Sequence, residues 1–315
     1  MDSKILINVE QLHRDFGRHT AVQDVSFSLA QGEVLGFLGP NGAGKSTTMR
    51  MITGNLAPSA GRVTINGIDL LEDAKLAKRH IGYLPEQPPV YRELTVDEYL
   101  HYCARLHRLA KGQRNKAVDN AKQRCGLSDT SKRLIGNLSK GFQQRVGIAQ
   151  AILHSPDVVI LDEPTVGLDP IQIRDIRRLI RELGENHGII LSTHILPEVQ
   201  AVCSRVQIIH QGQLVFAESM DNLQQRLTGK ALTLETQTPI ETEKLRALAG
   251  IENVEALDAT RAQLIFSGAN PADSVATLVS EQNWGLVELA LERRGLEQIF
   301  VDLTTGEQAA DGEAA

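Results

Sequence analysis

Apolar positions along the chain gather into short runs broken by glycine, the pattern of strands. The first such runs are Lys4 to Val9, Ala21 to Leu29, Val34 to Leu38 and Arg62 to Ile65. Val34-Leu-Gly-Phe-Leu38 is continuous rather than alternating, which suits a strand covered on both faces. A helix is expected from Gly44 to about Thr53. The stretch from Glu86 to Leu153 reads mostly helical, and Thr95 and Glu98 have capping-box spacing at the head of one helix. Buried strands return at Val158 to Leu161 and Ile189 to Ser192. Between them Asp169-Pro170 opens a helix, an N-cap residue followed by proline at the first helical position. Ile173, Ile176, Ile180 and Leu183 give that helix its apolar face. The pattern predicts an α/β fold: a mostly parallel core sheet, an antiparallel β subdomain, and a helical insertion over about 86–155.

After about Asn222 the pattern changes. Lys230 to Thr236 alternates like a strand, Thr242 to Ala249 suits a helix, and Val254 to Ala259 with Gln263 to Ser267 reads as a hairpin turning near Thr260-Arg261. Pro271 to Gln282 is a second helix and Gly285 to Leu291 an edge strand. The order β-α-β-β-α-β is that of the ferredoxin-like split motif. A closing helix carries Leu296, Ile299, Phe300 and Leu303 on one face, and the small, acidic end of the chain is expected to be disordered. The organisation expected is a first domain over 1–221, a small α+β domain over 222–304 and a tail over 305–315.

Composition narrows the function. The 315 residues have a net charge of -6 and a pI near 5.9, a poor match to a nucleic-acid binder, which presents a basic face. The 3 cysteines, Cys103, Cys125 and Cys203, are far apart and without metal-ligand spacing, so they read as free thiols of a reducing compartment. The N-terminus has no apolar stretch fit for a signal peptide, and no apolar run reaches the roughly 18 residues that would span a bilayer. The chain is expected in the cytoplasm, at a membrane only through a partner.

Chemistry concentrates first at Gly39-Pro40-Asn41-Gly42-Ala43-Gly44-Lys45-Ser46-Thr47, which fits G-x-x-x-x-G-K-[ST] directly after a buried strand. Phosphate oxygens need many donors at close range. Glycines let backbone N–H groups turn inward, and the following helix aims its N-terminus at the phosphates. Lys45 is expected to bridge the β- and γ-phosphates of ATP, and the Ser46 hydroxyl to ligate Mg²⁺. Val158-Val-Ile-Leu-Asp162-Glu163 is an apolar strand ending in acids, a costly placement for carboxylates without a task. Asp162 is the expected magnesium ligand and Glu163 the expected general base for the attacking water. His194 follows another buried strand, at the sheet edge where ligands collect, and can reach the γ-phosphate.

Leu138-Ser-Lys-Gly-Phe-Gln-Gln-Arg145 separates this chain from other phosphate-loop ATPases. Ser139 and Gly141 put a hydroxyl and bare N–H groups at a helix start, a second anion site in a chain whose phosphate loop already serves one nucleotide. The chain here resembles the ATP-binding subunits of ABC transporters. The segment is similar to their signature motif, with Lys140 in place of the first paired glycine and Phe142 in place of glutamine. Gly39 to Thr47 is similar to their Walker A loop, Val158 to Glu163 to Walker B, Gly167-Leu-Asp169 to the D-loop and His194 to the switch histidine; Phe16 matches the aromatic that stacks on adenine. The glutamine that usually follows Gly82-Tyr-Leu-Pro85 is replaced by Glu86 with Gln87 next, and either can take its place at the magnesium. Tyr-Leu-Pro-Glu, the altered signature and the ending Leu-Glu-Gln-Ile-Phe look like type 2 ABC exporters, particularly their gliding-motility-like branch.

The resemblance implies an ATPase that works as a homodimer, or as a heterodimer with a second ATP-binding subunit. ATP is then sandwiched between the Walker A loop of one copy and the signature helix of the other, with Ser139, Gly141 and Asp169 completing the partner's site. It implies a separate integral-membrane permease, met through Pro88-Pro89-Val90-Tyr91, and a peripheral place on the inner face of the cell membrane. The rival reading is a soluble ABC-type ATPase acting on ribosomes or DNA. Ribosome-acting forms usually carry two nucleotide domains, and this chain has one phosphate loop; DNA-repair forms insert long coiled coils, and no sustained heptads occur between Lys45 and Asp162.

Overall fold

The computed structural model describes residues 4–293 and Phe300. The expected closing helix, Phe300 apart, and the expected tail lie outside the described residues. The chain divides into two compact units, Met1–Met220 and Asp221–Ala315.

The first unit is built on a six-stranded sheet. Its centre is the Val34–Leu38 strand, buried at every position, paired in parallel with Gly188–Thr193 on one side and Arg205–His210 on the other. Beyond Gly188–Thr193 lie Val158–Asp162 and then Ile81–Leu84, both parallel, and Gln213–Ser219 closes the opposite edge antiparallel. The continuous apolar runs are therefore the strands with helices or sheet on both faces. A second, antiparallel sheet orders His19–Ala30, Ile5–Phe16, Ala60–Ile65 and Ile68–Asp69. Leu6, Val9, Leu12, Val25, Phe27 and Ile65 of that sheet share one core with Phe37, Met49, Ile52 and Ile160.

The insertion carries the Val96–Leu106, Lys111–Arg124 and Lys140–Ile152 helices. Thr95 and Glu98 form the expected capping box, with Thr95 Oγ1 accepting from Glu98 N and Glu98 Oε2 accepting from Thr95 N at 2.8 Å. The helix opened by Asp169-Pro170 runs Pro170–Gly184 and buries Ile176, Leu179, Ile180 and Leu183, so Leu179 replaces Ile173 on the core face. The Ile81–Leu84 strand and the Arg205–His210 and Gln213–Ser219 pair go beyond the sequence expectation.

The second unit runs strand Thr228–Thr236, helix Thr242–Arg246, strands Ile251–Ala256 and Arg261–Phe266, helix Ala272–Glu281 and strand Leu286–Arg293. The sheet is antiparallel, with Thr228–Thr236 between Arg261–Phe266 and Leu286–Arg293, and Ile251–Ala256 at the far edge. Leu232, Leu234, Leu264, Phe266, Val275, Val279 and Trp284 form its own core. Arg261 sits in a strand rather than in the turn, because the Asp258 carboxylate folds the turn one step earlier by accepting from Thr260 N and Arg261 N. No helix among the described residues is long and apolar enough to cross a membrane.

Candidate nucleotide site

The phosphate loop leaves the C-terminal end of the Val34–Leu38 strand and enters the Lys45–Ile52 helix. Two of its glycines are required by geometry. A Cβ at Gly39 would stand 2.4 Å from the Ile209 carbonyl oxygen, and Gly44 has φ +105° with the Ala21 carbonyl 2.6 Å from where a Cβ would be. Lys45 is buried; its Nζ donates to the Gly39 and Pro40 carbonyls at 2.8 and 3.1 Å and stands 3.6 Å from Glu163 Oε1. Desolvation lowers the Lys45 ammonium below the usual lysine range, against the pull of Glu163 and Asp162.

Beside the loop opens a cleft of about 710 Å³. The loop residues Asn41, Gly42, Gly44, Lys45, Ser46 and Thr47 line one side, with Glu86, Glu163 and His194 opposite and Phe16 at the rim. Phe16 is 47% exposed, and the Arg14 guanidinium lies 4.6 Å from its ring centroid. Glu86 lines the cleft and Gln87 does not.

Asp162 ends its strand at 2% exposure. Ser192 Oγ donates to its Oδ1 at 2.7 Å, and the Ser46 hydroxyl lies close to the same carboxylate. Burial raises the Asp162 carboxyl above the usual carboxylate range, with those hydroxyls and Lys45 opposing the shift. A hydroxyl beside a carboxylate is a hard-oxygen pair, and among the described residues no cluster of three or more His, Cys, Asp or Glu could hold an ion by itself. That donor set fits Mg²⁺, which keeps few protein ligands and shares itself with phosphates and water.

Glu163, 7% exposed, has φ +51°, a left-handed conformation that costs a side-chain-bearing residue about 1–3 kcal/mol. Its surroundings hold it there. Its N–H donates to the Ser192 carbonyl at 2.8 Å, His194 Nδ1 donates to Oε1 at 2.9 Å, and Thr193 Oγ1 lies 3.3 Å from Oε2. The neighbouring strands thus bring Glu163 and His194 together over Lys45.

Ser139, Gly141 and Asp169 are elsewhere: none lines this cleft. Ser139 caps the Lys140–Ile152 helix by accepting from Phe142 N. A Cβ at Gly141 would stand 2.4 Å from Gln172 Oε1, so the signature helix packs closely on the Pro170–Gly184 helix. Asp169 caps the same helix through Ile171 N and Gln172 N at 3.0 and 2.9 Å. Lys140 reaches back over the turn at Gly167, where a Cβ would meet its Nζ at 2.3 Å. The Phe142 ring stands 5.8 Å from the Arg145 guanidinium instead of offering an amide. Signature helix and D-loop therefore form one surface, apart from the chain's own phosphate loop.

Sequence reading missed Glu198, which is fully buried and accepts from the hydroxyls of Thr165 and Thr193. An acid in the first turn of a short helix looks like an ordinary dipole partner, so no sequence signal separates it from a surface residue.

Comparison with known proteins agrees with this geometry. Residues 22–166 match the family model described as "ABC transporter". The linearmycin resistance ATP-binding protein LnrL of Bacillus subtilis (strain 168) is 32% identical over 305 residues, spanning 95% of this chain and 98% of that one. The bacitracin transport ATP-binding protein BcrA of Bacillus licheniformis is 40% identical over 223 residues, 70% of this chain and 72% of that one. A solved ATP-binding subunit of an ABC transporter superposes with a TM-score of 0.64 at 32% identity, covering 70% of this chain and 92% of that one. By sequence and by shape, the chain belongs to the ABC transporters, as an ATP-binding subunit that binds ATP with magnesium and hydrolyses it to drive a membrane permease.

Proposed function

We propose that two copies of this subunit, or one copy and a second ATP-binding subunit, close around two ATP molecules beneath a type 2 exporter permease. The observation that carries this is the separation of two half-sites: Lys45 and Glu163 face one cleft, while Ser139 and Gly141 lie outside it. A second subunit would bring the missing half. Export is favoured by relatives named for antibiotic resistance and transport. The narrower gliding-motility-like branch rests on Tyr83-Leu-Pro-Glu86, the altered signature and the ending Leu296-Glu-Gln-Ile-Phe300. The permease would sit over the Pro88–Tyr91 stretch, where Tyr91 is exposed and packs its ring on Tyr99 and Tyr102. The subunit would then work on the inner face of the cell membrane.

In this reading Phe16 stacks on adenine, and the backbone N–H groups of Asn41, Gly42, Gly44, Ser46 and Thr47 with Lys45 hold the β- and γ-phosphates. Ser46, Asp162 and, of the two candidates after Pro85, Glu86 would hold magnesium. When bound, that ion neutralises charge on the phosphate oxygens. Glu163 takes the proton of the attacking water as that water's oxygen bonds to the γ-phosphorus and ADP leaves. His194, oriented by Glu163 Oε1, faces the γ-phosphate.

The test is Glu163→Gln in the full chain. Hydrolysis should fall by about 10²-fold or more, and with ATP the chain should elute as a stable dimer by light scattering. A variant that stays monomeric with ATP and hydrolyses at the wild-type rate would refute the base assignment. Lys45→Ala should abolish the calorimetric heat of ATP binding at concentrations that saturate the wild type.

A further inference from the structure

Glu198 is an acid that none of these roles explains. It sits in the first turn of the Leu196–Val202 helix at 1% exposure. A buried carboxylate is costly unless its oxygens receive hydrogen bonds. Two hydroxyls supply them: Thr165 Oγ1 donates to Oε1, and Thr193 Oγ1 donates to Oε2 at 2.9 Å. Those threonines belong to different segments. Thr165 lies just past Glu163, and Thr193 immediately precedes His194. One carboxylate therefore ties the loop after Val158–Asp162 to the end of Gly188–Thr193. Thr193 Oγ1 also accepts from Ile195 N at 3.1 Å and lies 3.3 Å from Glu163 Oε2, so its position bears directly on the second oxygen of Glu163.

We propose that Glu198 is a positioning residue for hydrolysis: it clamps Thr165 and Thr193 so that Glu163 and His194 face the γ-phosphate together. The proposal rests on the reading of Glu163 as the base. Glu163 holds a left-handed backbone conformation that its surroundings must maintain, and the Glu198 clamp fixes the loop just after it. None of the hydrogen-bond partners of the Glu198 side chain belongs to the phosphate loop. Loss of the clamp consequently falls on turnover and spares nucleotide binding.

The experiment measures kcat and the ATP Kd of full-chain variants. Glu198→Gln keeps the volume but replaces one acceptor oxygen by a donor, so it no longer receives both hydroxyls. Thr193→Val removes the bridging hydroxyl at nearly constant shape and reads the same clamp if the Glu198 variant does not fold. Both should lose about tenfold to a hundredfold in kcat while Kd stays within about twofold, the cost of misplacing a group at the reacting centre. Thr193→Ser, which restores the hydroxyl, should return most of the rate. In a Glu163→Gln background, Glu198→Gln should lower the residual rate no further. Wild-type kcat in Glu198→Gln, a Kd that rises in step with the loss of kcat, or a full additional loss in the double variant would each overturn the clamp. A Glu163→Gln variant that hydrolyses at the wild-type rate would instead overturn the base reading on which the clamp depends.

Discussion

Phe16 shows how a single side chain can be prepared for a base. It ends the Ile5–Phe16 strand, lines the rim of the cleft and stays 47% exposed although large and apolar. Arg14 braces it at 4.6 Å, an arrangement in which the ring's electron-rich face is already drawn toward a cation. Stacking a base on an aromatic ring contributes about 1–3 kcal/mol. Phe16→Ala should therefore weaken ATP binding by about 5- to 150-fold, whereas Phe16→Trp should retain it; an unchanged Kd for the alanine variant by calorimetry would remove Phe16 from the base site. At this scale much of the candidate site was legible. Lys45, Ser46, Asp162, Glu163 and His194 stand at the ends of buried strands or beside them, and a polar residue there is visible because everything before it is apolar. Glu198 was not legible, since its burial is matched by two hydroxyls that arrive from a loop and from the end of a strand. The choice between Glu86 and Gln87 also needed coordinates, because both lie in the bend after Ile81–Leu84 and only Glu86 lines the cleft.

Elements were legible in proportion to how far their stabilisation is local. The Val34–Leu38 strand was read to the residue because both faces are buried, and Val158–Asp162 to within one residue for the same reason. The Ile81–Leu84 strand has only four residues, one of them glycine, and it exists because Val158–Asp162 offers it an edge. Arg205–His210 carries Arg205, Gln207 and His210 among its apolar residues, which hides a buried strand behind a polar pattern. Gln207 and His210 are nevertheless buried, so tertiary pairing overrode what composition suggested. The Val96–Leu106 helix is the opposite case, since its start is written in its own cap. Thr95→Ala removes the acceptor for Glu98 N and the Oγ1 donor to Glu98 Oε2. It should cost about 1 kcal/mol, seen as a lower urea midpoint of the full chain, and ATP binding should stay as in the wild type because the cap lies outside the cleft. A midpoint equal to the wild type's would mean that the helix start is held by packing alone.

At the scale of the whole molecule, the residues assigned to ATP all lie within Met1–Met220. Among the described residues, the second unit has a core of its own that includes buried Trp284 and Phe266. That core is built from the unit's own residues, which points to a task other than stabilising the nucleotide site. Among the described residues its Leu286–Arg293 strand is a sheet edge that carries the exposed Leu286 and Val287, the kind of strand that proteins cover or use for pairing. Support of dimerisation, or regulation, is the task expected of this unit, and its deletion tests the former. Deleting residues 222–315 should leave the ATP Kd of the monomer unchanged, because no cleft residue is removed. In a Glu163→Gln background the same deletion should weaken the ATP-bound dimer, raising the protein concentration at which it forms by sedimentation velocity, and in the wild-type background it should lower the ATPase rate at low protein concentration while sparing it at high concentration. That concentration dependence separates lost dimerisation from a damaged site, which would lower the rate at every concentration. If dimer formation, ATPase rate and transport with the permease all match the wild type, the second unit has no part in the nucleotide cycle.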